Sequence, residues 1–242
     1  MRRRSFLYTI LIIGATLGAV VTVIAVLLKR DPEFYSSSES DIPDDPTVAP
    51  MVLTRFSDLQ NDMREKANWG GRFTVAELNA FLREHLDDGE GLASVLPSNL
   101  HTPRVSIDGD RIRIAARYQL GESATFSTVV WVDLRIWLVK DELNTIAIEL
   151  VGAWAGSLPI EWKIQSKLDL ITETARDSLN ADVTWYRHDG HPVGLFHFYA
   201  DQRNPTTRFK SIHVSENQVT VTGKSMVDPT MPTTPDPAPP AE

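Results

Sequence analysis

The run from Phe6 to Leu28 is uncharged and mostly apolar, preceded by Arg2, Arg3 and Arg4 and closed by Lys29 and Arg30. At about 1.5 Å rise per residue such a run crosses a hydrocarbon core of roughly 30 Å. A signal-peptide core of about 7 to 15 residues would not. The pattern predicts a transmembrane helix over 6–28, kept as an uncleaved anchor, behind a basic cytoplasmic stub at 1–5. Three arginines and the free amine precede the span. The two basic residues after it are soon followed by Asp31 and Glu33, so the bias places the rest of the chain outside the cytoplasm, on a single-pass cell-membrane protein.

Charge narrows the partners. The chain is net −8, and because its first 30 residues hold five Lys and Arg and no acid, the remainder carries −13. A field of that sign disfavours nucleic acid and electrostatic adsorption to an anionic bilayer. Contact with lipid beyond the anchor would be apolar. The chain has no cysteine, which removes disulfides, thiol catalysis and an acylated N-terminal Cys.

Residues 29–50 are rich in Ser, Asp, Glu and Pro, and the composition predicts an acidic disordered linker. Asp228 to Glu242 holds six prolines and predicts a disordered Pro-rich tail over 228–242. Between them, 51–227 is long enough for one domain with its own core.

Within that domain Leu53, Phe56, Leu59 and Met63 share a helical stripe over Val52 to Ala67, ended by Trp69-Gly70-Gly71. Thr74 stands three residues before Glu77, a capping-box spacing, and Leu78, Phe81, Leu82 and Leu86 give the next helix its apolar face. Asp87 to Pro103 reads as loop. The period then falls to two. Ile107, Ile112, Ile114, Tyr118 and Leu120 flank an Asp108-Gly109-Asp110 turn, Thr125 to Val139 is one long β run that must bend, and Leu143 to Ala155 returns beside it. Gly156-Ser157-Leu158-Pro159 breaks the sheet before a helix over Ile160 to Leu179. Four strands follow: Val183 to Arg187, Val193 to Ala200, Arg208 to Val214 and Gln218 to Thr222. The expected class is α+β: an N-terminal transmembrane helix, then a long, curved antiparallel sheet packed on helices.

The long strand has two apolar faces. Phe126, Val130, Val132, Leu134, Ile136 and Leu138 form one, while Val129, Trp131, Trp137 and Val139 form the other, interrupted by Asp133 and Arg135. One face suffices to pack the core. The second either lines a groove for an apolar ligand, with Val129, Trp131, Trp137, Val139 and Val151 as its lining, or is covered by a second helix or the N-terminal segment.

Catalytic motifs are missing. There is no Gly-x-Ser-x-Gly elbow and no phosphate-cradling Gly-rich loop, and the carboxylate pairs Asp87-Asp88 and Asp141-Glu142 read as solvated turns. His188, Asp189, His191 and His197 cluster, but Asp189-Gly190 is a hairpin signature, so His188 and His191 flank a turn rather than ligate a metal. The reading is non-enzymatic, without metal or cofactor.

The order of elements, the segment Arg72-Phe73-Thr74-Val75-Ala76-Glu77-Leu78-Asn79 and the turn Gly156-Ser157-Leu158-Pro159-Ile160 resemble the YpmS-like bacterial envelope proteins and, more remotely, the LmeA-type proteins of the tubular lipid-binding superfamily. The resemblance implies a membrane-tethered domain with a curved sheet around a helix, holding a lipid or another apolar envelope molecule. The alternative is a protein-interaction or scaffold module of a cell-envelope assembly, in which the second apolar face docks a partner protein.

Overall fold

The computed structural model describes residues 19–40, 43, 45–87, 99–119, 126–161, 167–199, 206–215 and 217–226. The expected stub, the first part of the apolar run and the Pro-rich tail lie outside them. Five helices are described: α1 (19–29), α2 (Glu33–Ser40), α3 (Val48–Glu65), α4 (Val75–Asp87) and α5 (Leu168–Leu179). Ten strands accompany them: β1 (Asn68–Thr74), β2 (Leu100–Asp108), β3 (Arg111–Gln119), β4 (Ser127–Leu138), β5 (Thr145–Ala155), β6 (Leu158–Pro159), β7 (Ala181–His188), β8 (His191–Phe198), β9 (Thr207–Ser215) and β10 (Gln218–Ser225). Among the described residues no helix is long and apolar enough to cross a membrane. Of the run at 6–28, only the part from residue 19 falls within them.

The class is α+β, with a large curved antiparallel sheet packed with helices. Seven strands form that sheet in the order β2-β3-β4-β5-β8-β7, with β6 pairing β5 off the path. The long apolar run becomes β4, and its curvature has a local cause. The β4–β5 register shifts between Asp133 and Leu134, where Val151 is the extra residue, and β2–β3 shifts between His101 and Arg104. An extra residue bends its strand and increases the twist. Turn chemistry matches the sequence: Gly109 and Gly190 have positive φ values of 64° and 88° in the β2–β3 and β7–β8 hairpins.

Trp69-Gly70-Gly71, expected as a helix stop, instead opens β1, the first strand of a separate three-stranded sheet of order β1-β10-β9. The two glycines concealed it, since glycine weakens a strand pattern unless something approaches closely. Something does: a Cβ on Gly71 would come within 3.1 Å of Leu59 on α3. Val52 on α3, Phe73 on β1 and Phe81 on α4 form one buried cluster, while Val105 and Ile112 of the large sheet meet Val214 of the small one in another. The small sheet, α3 and α4 thus cover one end of the large sheet.

The Thr74 capping box forms as spaced: the Glu77 N–H donates to Thr74 Oγ1 (3.2 Å), and the Thr74 N–H donates to Glu77 Oε2 (2.9 Å). Two residues on, Asn79 is 1% exposed and grips β2. Asn144, 2% exposed, does the same for β9: its Nδ2 donates to the Thr207 carbonyl (2.8 Å) and its Oδ1 accepts the Phe209 N–H (2.9 Å). Both targets are edge strands. Each amide supplies the donor and acceptor that a missing neighbour strand would have provided.

The linker expectation needs correction. Residues 33–40 are helical, α3 begins at Val48, and Tyr35 is buried. Composition averages over a segment, whereas Phe34 and Tyr35 bring enough aromatic surface to dock a short helix on the sheet.

Candidate functional site

The C-terminal end of α1 is bonded to the sheet. A helix leaves its last carbonyls without intrahelical partners, and here the domain supplies them. The Ser157 N–H donates to the Leu27 carbonyl (2.9 Å) and Thr128 Oγ1 donates to the Leu28 carbonyl. Gly156 makes the approach possible. It has φ +60°, and a Cβ there would lie 2.3 Å from the Leu27 oxygen. Its N–H donates to the Val129 carbonyl (2.7 Å) and its carbonyl accepts the indole N–H of Trp131 (2.9 Å). The Gly156 to Pro159 segment, expected to break the sheet, instead turns back onto β5 as β6 and forms a socket for the helix end.

Beyond the socket the chain continues across the sheet. Asp31 pairs with Arg117 on β3 at 2.6 Å, and the Tyr35 hydroxyl donates to the Thr102 carbonyl on β2 at 2.9 Å. Tyr35 closes a cluster with Ala115 and Val129, and Phe34 meets Trp131 edge-on at 5.3 Å. Trp131 stacks on Trp154 of β5, ring centroids 3.8 Å apart.

This arrangement separates the five expected lining residues. Val129 is fully buried beneath α2, and Trp131 is sandwiched between Phe34 and Trp154, so at this end the N-terminal segment covers the second face. Trp137 pairs with Ala147 toward the opposite end of β4, about 26 Å from Val129 at ~3.3 Å per residue. Val139 lies beyond it, its N–H donating to the Thr145 carbonyl (2.9 Å), and Val151 occupies the bulge. The structure brings Val129 and Trp131 together and leaves Trp137 and Val139 apart from them.

Charge fills the interval. Arg111 Nη1 donates to Asp133 Oδ2 (3.1 Å) and Arg113 Nε stands 3.9 Å from the same oxygen. Arg135 bridges Glu149 (3.1 Å) and Asp110 (2.9 Å), while Arg113 also pairs with Asp108. Asp133 is 3% exposed, and its Oδ1 has no hydrogen-bond partner. Burial pushes its carboxyl above the ordinary aspartate range, against the pull of Arg111 and Arg113. A band of ion pairs therefore crosses the face that the sequence offered as an apolar groove or a covered surface.

The other face of β4 is apolar along its length. Val130, Val132 and Leu134 follow Thr128 at intervals of about 6.6 Å. Ala116, Ile114 and Ile112 stand beside them on β3. Toward the far end this face is sealed: Ile136 packs against the cluster of Val105, Ile112 and Val214. Nearer the socket it is open enough that Ile114 is 41% exposed. On α5, which packs on β7 through a Trp185 Nε1 to Thr172 Oγ1 bond (2.9 Å), Leu170 and Ile171 are exposed too. Sequence reading assigned this face to the core alone. The hint it passed over was the uninterrupted alternation from Val130 to Leu138, more apolar surface than one end-on core covers.

His188 and His191 face each other across the β7–β8 turn, and His191 Nδ1 stands 3.3 Å from Glu149 Oε1. Among the described residues no three His, Asp or Glu side chains are grouped to hold a metal ion. The chain matches no protein-family model, no curated protein sequence and no solved structure.

Proposed function

We propose that this chain is a single-pass, membrane-anchored extracytoplasmic protein that binds a lipid or another apolar envelope molecule without catalysing a reaction. The observation that carries the reading is the bonding of the Leu27 and Leu28 carbonyls to Ser157 and Thr128, because it sets an apolar track directly on the end of the apolar N-terminal run. With that run in the bilayer, Thr128 sits at the surface and Val130, Val132 and Ile114 lead away from it. An acyl chain moving from bilayer to domain would stay on apolar surface throughout, which avoids exposing its methylenes to water at about 0.8 kcal/mol each.

The test uses the full chain in lipid nanodiscs with a photoactivatable fatty acid and mass-spectrometric mapping of the crosslinks. Labelling of β3 and β4 peptides around Ile114 and Val132, reduced several-fold by Val132→Asp, is the expected result. Label confined to the N-terminal run would overturn it. A reporter fused after Val227 tests the orientation: alkaline phosphatase active and a cytoplasm-dependent fluorescent protein dark is the expected pattern.

A scaffold role draws support from the opposite face. Its band of ion pairs, with Asp110 and Arg135 partly exposed, suits a polar protein partner better than a lipid.

A further inference from the structure

The small sheet carries a charge opposite to that of the chain. β1, β9 and β10 contain no Asp or Glu, in a protein of net −8. Trp69, Phe73 and Val214 point inward and are buried. On the outward face the register aligns Asn68, Lys224 and Arg208 across the three strands, and Arg72, Thr220 and His213 two rows further on. At the register shift Lys210 is the extra, exposed residue of β9.

Two observations single out the first of these rows. Lys224 stands directly opposite Arg208, a like-charge cross-strand pair that is destabilising unless an anion lies between its members. No ion pair to Arg72, Arg208, Lys210 or Lys224 occurs among the described residues. The second observation is a depression of about 340 Å³ at this row, lined by Asn68, Thr206, Arg208 and Lys224 among others. There the Arg208 Nε is buried and has no hydrogen-bond partner. A guanidinium N–H taken from water and left unpaired is costly. An anion against the rest of the half-buried Arg208 would offset that cost through its charge.

We propose that this depression binds a phosphate-bearing anion, with Arg208 and Lys224 as its charged donors and Asn68 and Thr206 as neutral ones. The guanidinium fork matches two phosphate oxygens at once, and the ammonium adds a point charge. Lys210 beside the site, and Arg72 about 13 Å along β1 from Asn68, extend the surface beyond a single phosphate to a chain of them. The acidic remainder of the protein is screened beyond about 8 Å at physiological salt, so the local cations decide the encounter.

The anion comes from outside the bilayer that holds the anchor. Thr128, at the start of β4, meets Leu28, whereas Arg208 sits between Thr207 and Phe209, which Asn144 holds beyond the other end of that strand. The intervening span of β4 is about 33 Å. With the N-terminal run in the bilayer, as proposed above, that span separates the site from the headgroups beside Thr128. The site is also independent of the acyl-chain reading, and either can fail alone.

The full chain in zwitterionic nanodiscs, titrated calorimetrically with orthophosphate and with short-chain inorganic polyphosphate, tests the proposal. Saturable polyphosphate binding, tighter than orthophosphate and steeply weakened by salt, is expected. Lys224→Gln, at an exposed side chain that leaves folding intact, should weaken it at least tenfold, and Arg208→Gln should do likewise. No saturable binding at low salt, or binding that neither substitution alters, would overturn the site. Binding only to added vesicles containing an anionic phospholipid, with none to the soluble phosphates, would overturn its assignment to a source off the membrane.

Discussion

Asn79 on α4 holds Val105 on β2 with both ends of its amide: Nδ2 donates to the Val105 carbonyl at 2.8 Å, and Oδ1 accepts the Val105 N–H at 2.7 Å. The side chain acts as a fragment of a neighbouring strand, and it couples α4 to the edge of the large sheet. Asn79→Leu keeps the bulk and removes both bonds, stranding a buried N–H and a buried C=O that each cost about 1 to 3 kcal/mol when unpaired. We expect a loss of about 2 to 4 kcal/mol in urea unfolding. A loss below about 0.5 kcal/mol would show that β2 finds other partners.

Gly156→Ala tests the socket. The new Cβ would meet the Leu27 and Leu28 oxygens at 2.3 and 2.6 Å, and φ +60° adds backbone strain for any L side chain. The expected outcome is release of the helix end with the sheet retained. Spin labels at Arg30→Cys and Ser157→Cys should give a narrow distance distribution in the parent and a broad one in the variant, with far-ultraviolet circular dichroism unchanged.

Tyr35→Ala removes a buried ring from the cluster with Ala115 and Val129, together with its bond to Thr102. Truncating a buried aromatic costs about 3 to 5 kcal/mol, but α2 is local, so most of that loss should appear as undocking rather than global unfolding. Hydrogen exchange at 33–40 should be protected in the parent protein and near the unprotected rate in the variant. Equally rapid exchange in the parent would restore the disordered linker.

Two carboxylates shape the acid limb of stability with opposite signs. Burial raises Glu77, but the Thr74 N–H and Arg55 outweigh it and hold the carboxyl below the ordinary glutamate value. Its contribution is full above that ordinary value and is lost as pH falls through the depressed one. Asp133 has a raised value, so it contributes below the ordinary aspartate value and loses that contribution as pH rises to its folded one. Glu77→Gln should therefore reduce the fall in stability on acidification, and Asp133→Asn should steepen it. Thermal melts from pH 3 to 7 measure both, and the same direction of change in both variants would refute the assignment.

Local pattern settled what depends on neighbours along the chain. The Thr74 to Glu77 capping box, the hairpins at Gly109 and Gly190 and the strands from Ile107 to Ala155 follow from spacing and turn chemistry, because their hydrogen bonds close within a few residues or between adjacent segments. The apolar run at 6–28 and the acidic balance of the remainder are likewise properties of sequence alone. Tertiary structure decided the rest. Phe34 and Tyr35 lie in a stretch whose average composition predicts disorder, and they are ordered by contacts with Ala115, Val129 and Trp131, far along the chain. Asp133 and Arg135 could be read as interruptions of an apolar face, but their partners Arg111 and Glu149 sit on other strands whose register no local pattern specifies. β1 escaped detection because its pairing with β10 joins opposite ends of the domain, Asn68 beside Lys224. The cations of that small sheet look scattered in the sequence, and they form one surface only because β1 meets the β9–β10 hairpin from well over a hundred residues away.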